Sequence, residues 1–169
     1  MISKPLVNRV ANSGLITFNL EELYPDHEIV SFDIADYLFK GLMLREKEFR
    51  AALKDYDWSQ LQDKVLLVYC STDAIVPVWA QMLVVTYAQP EASEVFIGTE
   101  KDYLSKFYAE KIRTLDADKY IDKRIVIKGC SDKPVPISAY ADLTAFLRPM
   151  AKSIMYGEAC STVPLYKKK

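Results

Sequence analysis

Val65-Leu66-Leu67-Val68-Tyr69, closed by Cys70-Ser71 and followed by Val76-Pro77, decides how this chain is read. A short unbroken apolar run is the mark of a strand covered on both faces, and such strands belong to parallel sheets. Pro77 suits the first turn of a helix, because the N–H it lacks would be unpaired there anyway. The pattern predicts a helix from Pro77 to about Gln89, stopping before Pro90. Glu94 to Gly98 is a second strand. Glu100 to about Leu115 is a helix with Tyr103, Leu104, Phe107 and Ile112 on one side. Arg124 to Lys128 gives a third strand, Pro136 opens a third helix, and Ser153 to Tyr156 gives a fourth strand.

Strands joined by helices imply crossover connections. The expected fold is therefore α/β, in three layers: a mostly parallel four-stranded sheet of order 2-1-3-4, with helices on both faces. The first residues fit this scheme less well. Leu15 to Phe18 and Glu28 to Phe32 read as strands, Arg45 to Lys54 as a helix, and Asn19 and Asp33 as caps of short helical turns. Thr17-Phe18-Asn19-Leu20-Glu21-Glu22 echoes Ser31-Phe32-Asp33-Ile34-Ala35-Asp36, too briefly to define a repeat. The expected organisation is an irregular α+β segment over 1–62, packed on an α/β domain over 63–169, in a single globular unit. The helix after Pro77 has almost no polar face, so it must be covered on more than one side, by the N-terminal segment or by a second subunit.

Composition narrows the function classes. The 169 residues carry 22 basic and 23 acidic side chains, so no broad field attracts nucleic acid or anionic lipid. No apolar run approaches the ~20 residues that cross a bilayer, and no leader pattern opens the sequence. A cytoplasmic protein, monomer or homodimer, is expected, with its thiols reduced. The Lys167-Lys168-Lys169 ending reads as a frayed terminus.

All three cysteines share one wording: Cys70-Ser71 before Val76-Pro77, Cys130-Ser131 before Val135-Pro136, and Cys160-Ser161 before Val163-Pro164. In the 2-1-3-4 order they fall at one rim of the sheet, where open parallel sheets gather their ligands. Cys70, Cys130 and Cys160 are thus candidate thiolate ligands of zinc or an iron–sulfur cluster. Asp73, Asp132 or Glu158 would supply a fourth ligand, and Ser71, Ser131 and Ser161 hydrogen bonds to sulfur or to the following turns. Asp73 also stands where a carboxylate caps the next helix. The competing reading is that free cysteines are commonly buried as small hydrophobes, and no CxxC pair is present. His27 lies between Asp26 and Glu28 as a turn residue, which leaves histidine-based catalysis little support. The five glycines fall in no nucleotide-binding frame.

Asp57-Trp58-Ser59-Gln60, the Cys70 to Pro77 stretch, Lys128-Gly129-Cys130-Ser131, the stretch from Ser153 to Pro164, and Val7-Asn8-Arg9-Val10-Ala11-Asn12-Ser13-Gly14 together resemble an uncharacterised bacterial family of unknown function. The resemblance spans nearly the whole chain. It implies no activity, but it does imply partners among the iron–sulfur cluster assembly proteins. Three functions follow as expectations: a three-cysteine metal or iron–sulfur protein serving cluster assembly or sulfur transfer, a non-catalytic α/β interaction scaffold with structural cysteines, and an enzyme with one reactive cysteine, Cys70 or Cys130.

Overall fold

The computed structural model describes residues 14–129, 132–158 and 161–169. In chain order these form β1 (Leu15–Phe18), β2 (Ile29–Asp33), β3 (Leu38–Phe39), β4 (Met43–Leu44), α1 (Glu46–Asp55), β5 (Val65–Tyr69), α2 (Val78–Ala88), β6 (Glu94–Ile97), α3 (Glu100–Arg113), β7 (Arg124–Ile127), α4 (Ile137–Leu147), β8 (Ser153–Glu158) and β9 (Ser161–Lys167). Single 3-10 turns occupy Leu20–Leu23, Ile34–Tyr37, Trp58–Leu61 and Ala117–Tyr120. The class is α/β with mostly parallel pairing, and the predicted strands and helices all form.

The strand order departs from 2-1-3-4. β5 lies between β2 and β6 in a three-stranded parallel sheet, and β7 lies between β1 and β8 in a second sheet that β9 completes as an antiparallel edge. The reason lies in the two N-terminal strands. Each carries a buried phenylalanine, Phe18 as the last residue of β1 and Phe32 as the next to last of β2, and each takes the place beside a central strand that the expected order gave to another. A further two-stranded ladder joins β3 and β4.

The chain divides into two compact units: a continuous one, Pro25–Tyr103, and a split one formed by residues up to Tyr24 together with Leu104–Lys169. The expected boundary at 62/63 falls inside the continuous unit. In that unit α1 and α2 share one core. Phe49 and Leu53 join Ala80, Val84 and Ala88 against Leu66 and Val68 of β5, with Trp58 stacked on Tyr87 at 5.8 Å. Residues ahead of Pro77 therefore cover one side of the nearly all-apolar α2, as its composition demands. In the split unit, Tyr108 of α3 is fully buried and donates its hydroxyl to the carbonyl of Leu20 at 3.1 Å. Burial pushes its pKa up to about 12, helped by Tyr24, Tyr140 and Glu21 nearby.

Both units follow one plan, in step at an offset of 59 positions. Asp57 and Asp116 each cap a 3-10 turn, accepting from Ser59 N and Asp118 N at 3.2 Å. Asp63 and Asp122 each stand at positive φ, 60° and 54°, which an aspartate tolerates better than most residues. Phe49 and Leu53 of α1 match Tyr108 and Ile112 of α3, all buried. Ala80, Val84 and Ala88 match Ala139, Leu143 and Leu147, and Gly98 matches Gly157, both at positive φ. The brief echo between residues 17–22 and 31–36 belongs to the same plan: Asn19 and Asp33 cap matching 3-10 turns, accepting from Glu21 N and Ala35 N. The continuous unit is thus a second version of the split one, inserted in the sequence between the first strand of that unit and the rest of it.

Candidate functional site

In the continuous unit, β5 delivers the chain to a loop at the carboxyl edge of its sheet. Cys70 is a free, half-buried thiol packed against the core, with Sγ 3.3 Å from Thr72 Oγ1. Ser71 donates its N–H to Asp33 Oδ1 at 3.0 Å, and the same oxygen accepts from Ala35 N at 2.9 Å. Burial pushes the Asp33 carboxyl up, but hydrogen bonds from the Ser71 side chain, Ala35 N–H and Ser71 N–H outweigh it and hold the pKa below the ordinary carboxylate value. Asp73 is exposed and does not cap α2, whose N-cap is Pro77 with no side-chain hydrogen bond. That corrects the expected capping role. The carboxylate that orders this loop comes instead from the end of β2.

The split unit pins its matching loop differently. Glu21 Oε1 accepts from the backbone N–H groups of Asp132 and of Lys133, the second at 2.9 Å, while Oε2 lies 3.7 Å from Lys128 Nζ. Asp132 itself is exposed. The hydroxyl of Tyr156 donates to the Gly129 carbonyl at 3.3 Å, and a Cβ at Gly129 would meet that ring at 3.0–3.2 Å. Cys130 and Ser131 lie outside the described residues, as does Cys160. Ser161 is exposed and opens β9 opposite Glu158, the last residue of β8. Glu158 Oε1 is shielded from solvent and has no hydrogen-bond partner among the described residues.

The expectation of one shared sheet rim is corrected here. The strands leading to Cys130 and toward Cys160, β7 and β8, are parallel neighbours, whereas β5 before Cys70 belongs to the other sheet. The repeated wording has a second source as well. Asp73 and Val76-Pro77 match Asp132 and Val135-Pro136 at the 59-position offset, with Cys130 one place beyond the match to Cys70. Cys160 has no such counterpart, since Lys101 stands at its matching position. Among the described residues, no group of three His, Cys, Asp or Glu side chains is arranged to hold a metal ion. His27 is exposed, with Nδ1 3.1 Å from the Asp63 carbonyl. Sequence reasoning passed over Glu21, Lys128 and Tyr156, and recognised Asp33 only as a helical cap. The one signal was the echo that contains Glu21 and Asp33.

Among the described residues no helix is long and apolar enough to cross a membrane. Comparison with curated proteins and with solved structures gives no match. A family model does match, over residues 4–168, so the resemblance read from the motifs holds across nearly the whole chain. The chain belongs to the family described as protein of unknown function (DUF2480).

Proposed function

We propose that this is a cysteine-ligated metal or iron–sulfur protein, an accessory factor in iron–sulfur cluster assembly or sulfur transfer. Its ligands come from the split unit, with Cys130 and Cys160 as thiolates and Glu158 as oxygen donor. One observation carries the reading: the Glu158 oxygen withheld from solvent without a donor among the described residues. Leaving a buried acceptor unpaired costs about 1–3 kcal/mol, more when charged, and a bound cation would offset that cost. Glu158 stands two residues before Cys160, on the strand beside the one that leads to Cys130. Of the three carboxylates considered, Asp73 and Asp132 are exposed, which favours Glu158. Zinc accepts such mixed sulfur and oxygen ligation, and an iron–sulfur cluster can take a non-cysteine donor beside its cysteines.

The test is anaerobic purification of the full chain, followed by a visible spectrum and analysis of zinc, iron and acid-labile sulfide. Stoichiometric metal is expected, lost in Cys130→Ser and in Cys160→Ser and weakened in Glu158→Gln. Cys70→Ser, in the other unit, is expected to leave the metal content unchanged. Metal-free protein under those conditions rejects the reading. A specific observation favours the scaffold alternative, namely that internal duplication accounts for the matched settings of Cys70 and Cys130 without any ligand. In that case all three serine variants remain folded, none changes metal content, and Cys70→Ser lowers stability through its packing.

A further inference from the structure

Along β1, the split unit leaves a hollow of about 220 Å³ lined by Ile16, Thr17, Phe18, Glu22, Leu115 and Tyr120, among others. Lys128 donates its N–H to the Phe18 carbonyl at 2.9 Å, so Phe18 turns its backbone toward β7. Successive residues of a strand turn to opposite sides, and Thr17 therefore points its N–H and C=O away from β7. Among the described residues β1 ends its sheet on that side. We propose that this hollow is a binding site for a single planar aromatic ring carrying an N–H or O–H donor, stacked on Phe18 and hydrogen-bonded to Glu22 or to the open edge of β1.

The duplication shows what such a space accepts. Phe32 stands at the position of Phe18, and in the continuous unit three rings close around it. Tyr37 stacks on it at 5.0 Å and 6°, Trp58 at 5.8 Å and 23°, and Tyr56 meets it edge-on at 5.5 Å. Leu23, Ala117 and Leu115 stand at the matching positions of the split unit, none with a ring. Tyr120, where the continuous unit has Leu61, supplies one wall, its ring 6.0 Å from Phe18 and tilted by 48°. The stacked place that Tyr37 fills on Phe32 is thus left to a ligand on Phe18. Burial pushes the Tyr37 pKa up, with Tyr56 and then Asp36 adding to it, so a carboxylate stands near that ring; Glu22 matches Asp36.

Size and lining set the ligand class. Pockets for drug-sized molecules hold roughly 300–1,000 Å³, so this smaller one suits one ring with a short substituent. Glu22 and the Thr17 carbonyl accept hydrogen bonds and the Thr17 N–H donates one, which favours a phenol or a nitrogen heterocycle over a plain hydrocarbon. The described residues lining the hollow include no basic side chain, so a phosphate or carboxylate on the ring would meet no counter-charge. Two sources offer the required chemistry: a tyrosine side chain of a partner peptide, and a free heterocyclic base.

Magnetic resonance titration of the isotope-labelled full chain with p-cresol, and separately with adenine, tests the proposal. Saturable shifts of the Ile16, Thr17, Glu22 and Tyr120 amides are expected with at least one of them, at a dissociation constant of about 1 mM or below. Tighter binding of p-cresol assigns the site to a tyrosine side chain, and tighter binding of adenine to a free base. Leu23→Tyr, which copies the filling of the continuous unit, is expected to weaken binding by about tenfold or more. Glu22→Ala is expected to weaken it about fivefold and Asp36→Asn to leave it unchanged, with folding verified by circular dichroism. No saturable shift with either compound up to about 10 mM overturns the proposal. So do shifts confined to residues away from the hollow, which the unmodified chain reports even if Leu23→Tyr does not fold. Binding that a folded Leu23→Tyr leaves intact overturns it as well.

Discussion

At the residue scale, short polar side chains that satisfy nearby backbone were readable and long-range ones were not. Asn19 and Asp33 cap the turns that follow them, and their chemistry alone predicts it. That Glu21 would reach Asp132 and Lys133 depends on pairing between β1 and β7, which no local pattern encodes. Tyr108 offers a pH test. Its folded pKa, about 12, lies above the ordinary tyrosine value, so the stability it contributes is complete below about pH 10 and fades as pH rises toward 12. Tyr108→Phe is expected to cost about 1 kcal/mol at neutral pH and to flatten the alkaline limb of urea-unfolding midpoints. The glycines offer a second test. Gly157→Ala combines φ +124° with a Cβ only 2.5 Å from the Ser161 carbonyl oxygen, so a loss of about 2–3 kcal/mol is expected. Gly129→Ala presses only on the movable ring of Tyr156 and is expected to lose under about 1 kcal/mol, both losses read from denaturant midpoints.

At the element scale, apolar runs and prolines fixed most boundaries to within a residue or two, whereas β9 went unread. Ser161–Lys167 is half polar, contains Pro164 and carries a bulge, so it holds as a strand only because β8 pairs with it. The lysine ending is likewise tied down. Lys168 donates its N–H to the Lys152 carbonyl at 2.9 Å and its Nζ to Asp122 at 2.8 Å, which corrects the expectation of a frayed terminus at that residue. Deleting everything after Glu158 therefore removes a sheet edge as well as Cys160. It is expected to cost about 2–3 kcal/mol in thermal or denaturant unfolding. Cys160→Ser, which spares the strand, is the cleaner probe of ligation.

At the scale of the whole molecule, the α/β class was legible and the partnership of strands was not. Four short strands of similar apolar character compete for places beside β5 and β7, and only the folded chain settles which pairs with which. The duplication is masked in the sequence for a related reason: the first strand of the split unit is separated from the rest of its unit by residues 25–103. The continuous unit holds an unbroken core with both its helices and its own sheet. Residues 25–103 expressed alone are expected to unfold cooperatively, with α/β circular dichroism. A non-cooperative melt of that fragment would show that the core needs the remainder of the chain.

The pairing of β1 with β7 has a consequence for how the chain reaches this state. In the continuous unit, Ile29 finds Val65 after a short excursion, whereas Leu15 must wait for Arg124. Contacts so distant in sequence form slowly, because closing the longer loop costs more entropy before any pairing rewards it. During synthesis the whole of residues 25–103 emerges before β7 exists, so one sheet can be complete while Leu15-Ile16-Thr17-Phe18 still lacks its neighbour. Until β7 arrives, that apolar strand is an unprotected edge. The nascent protein is then most exposed to aggregation at β1, and a chaperone would find its target there.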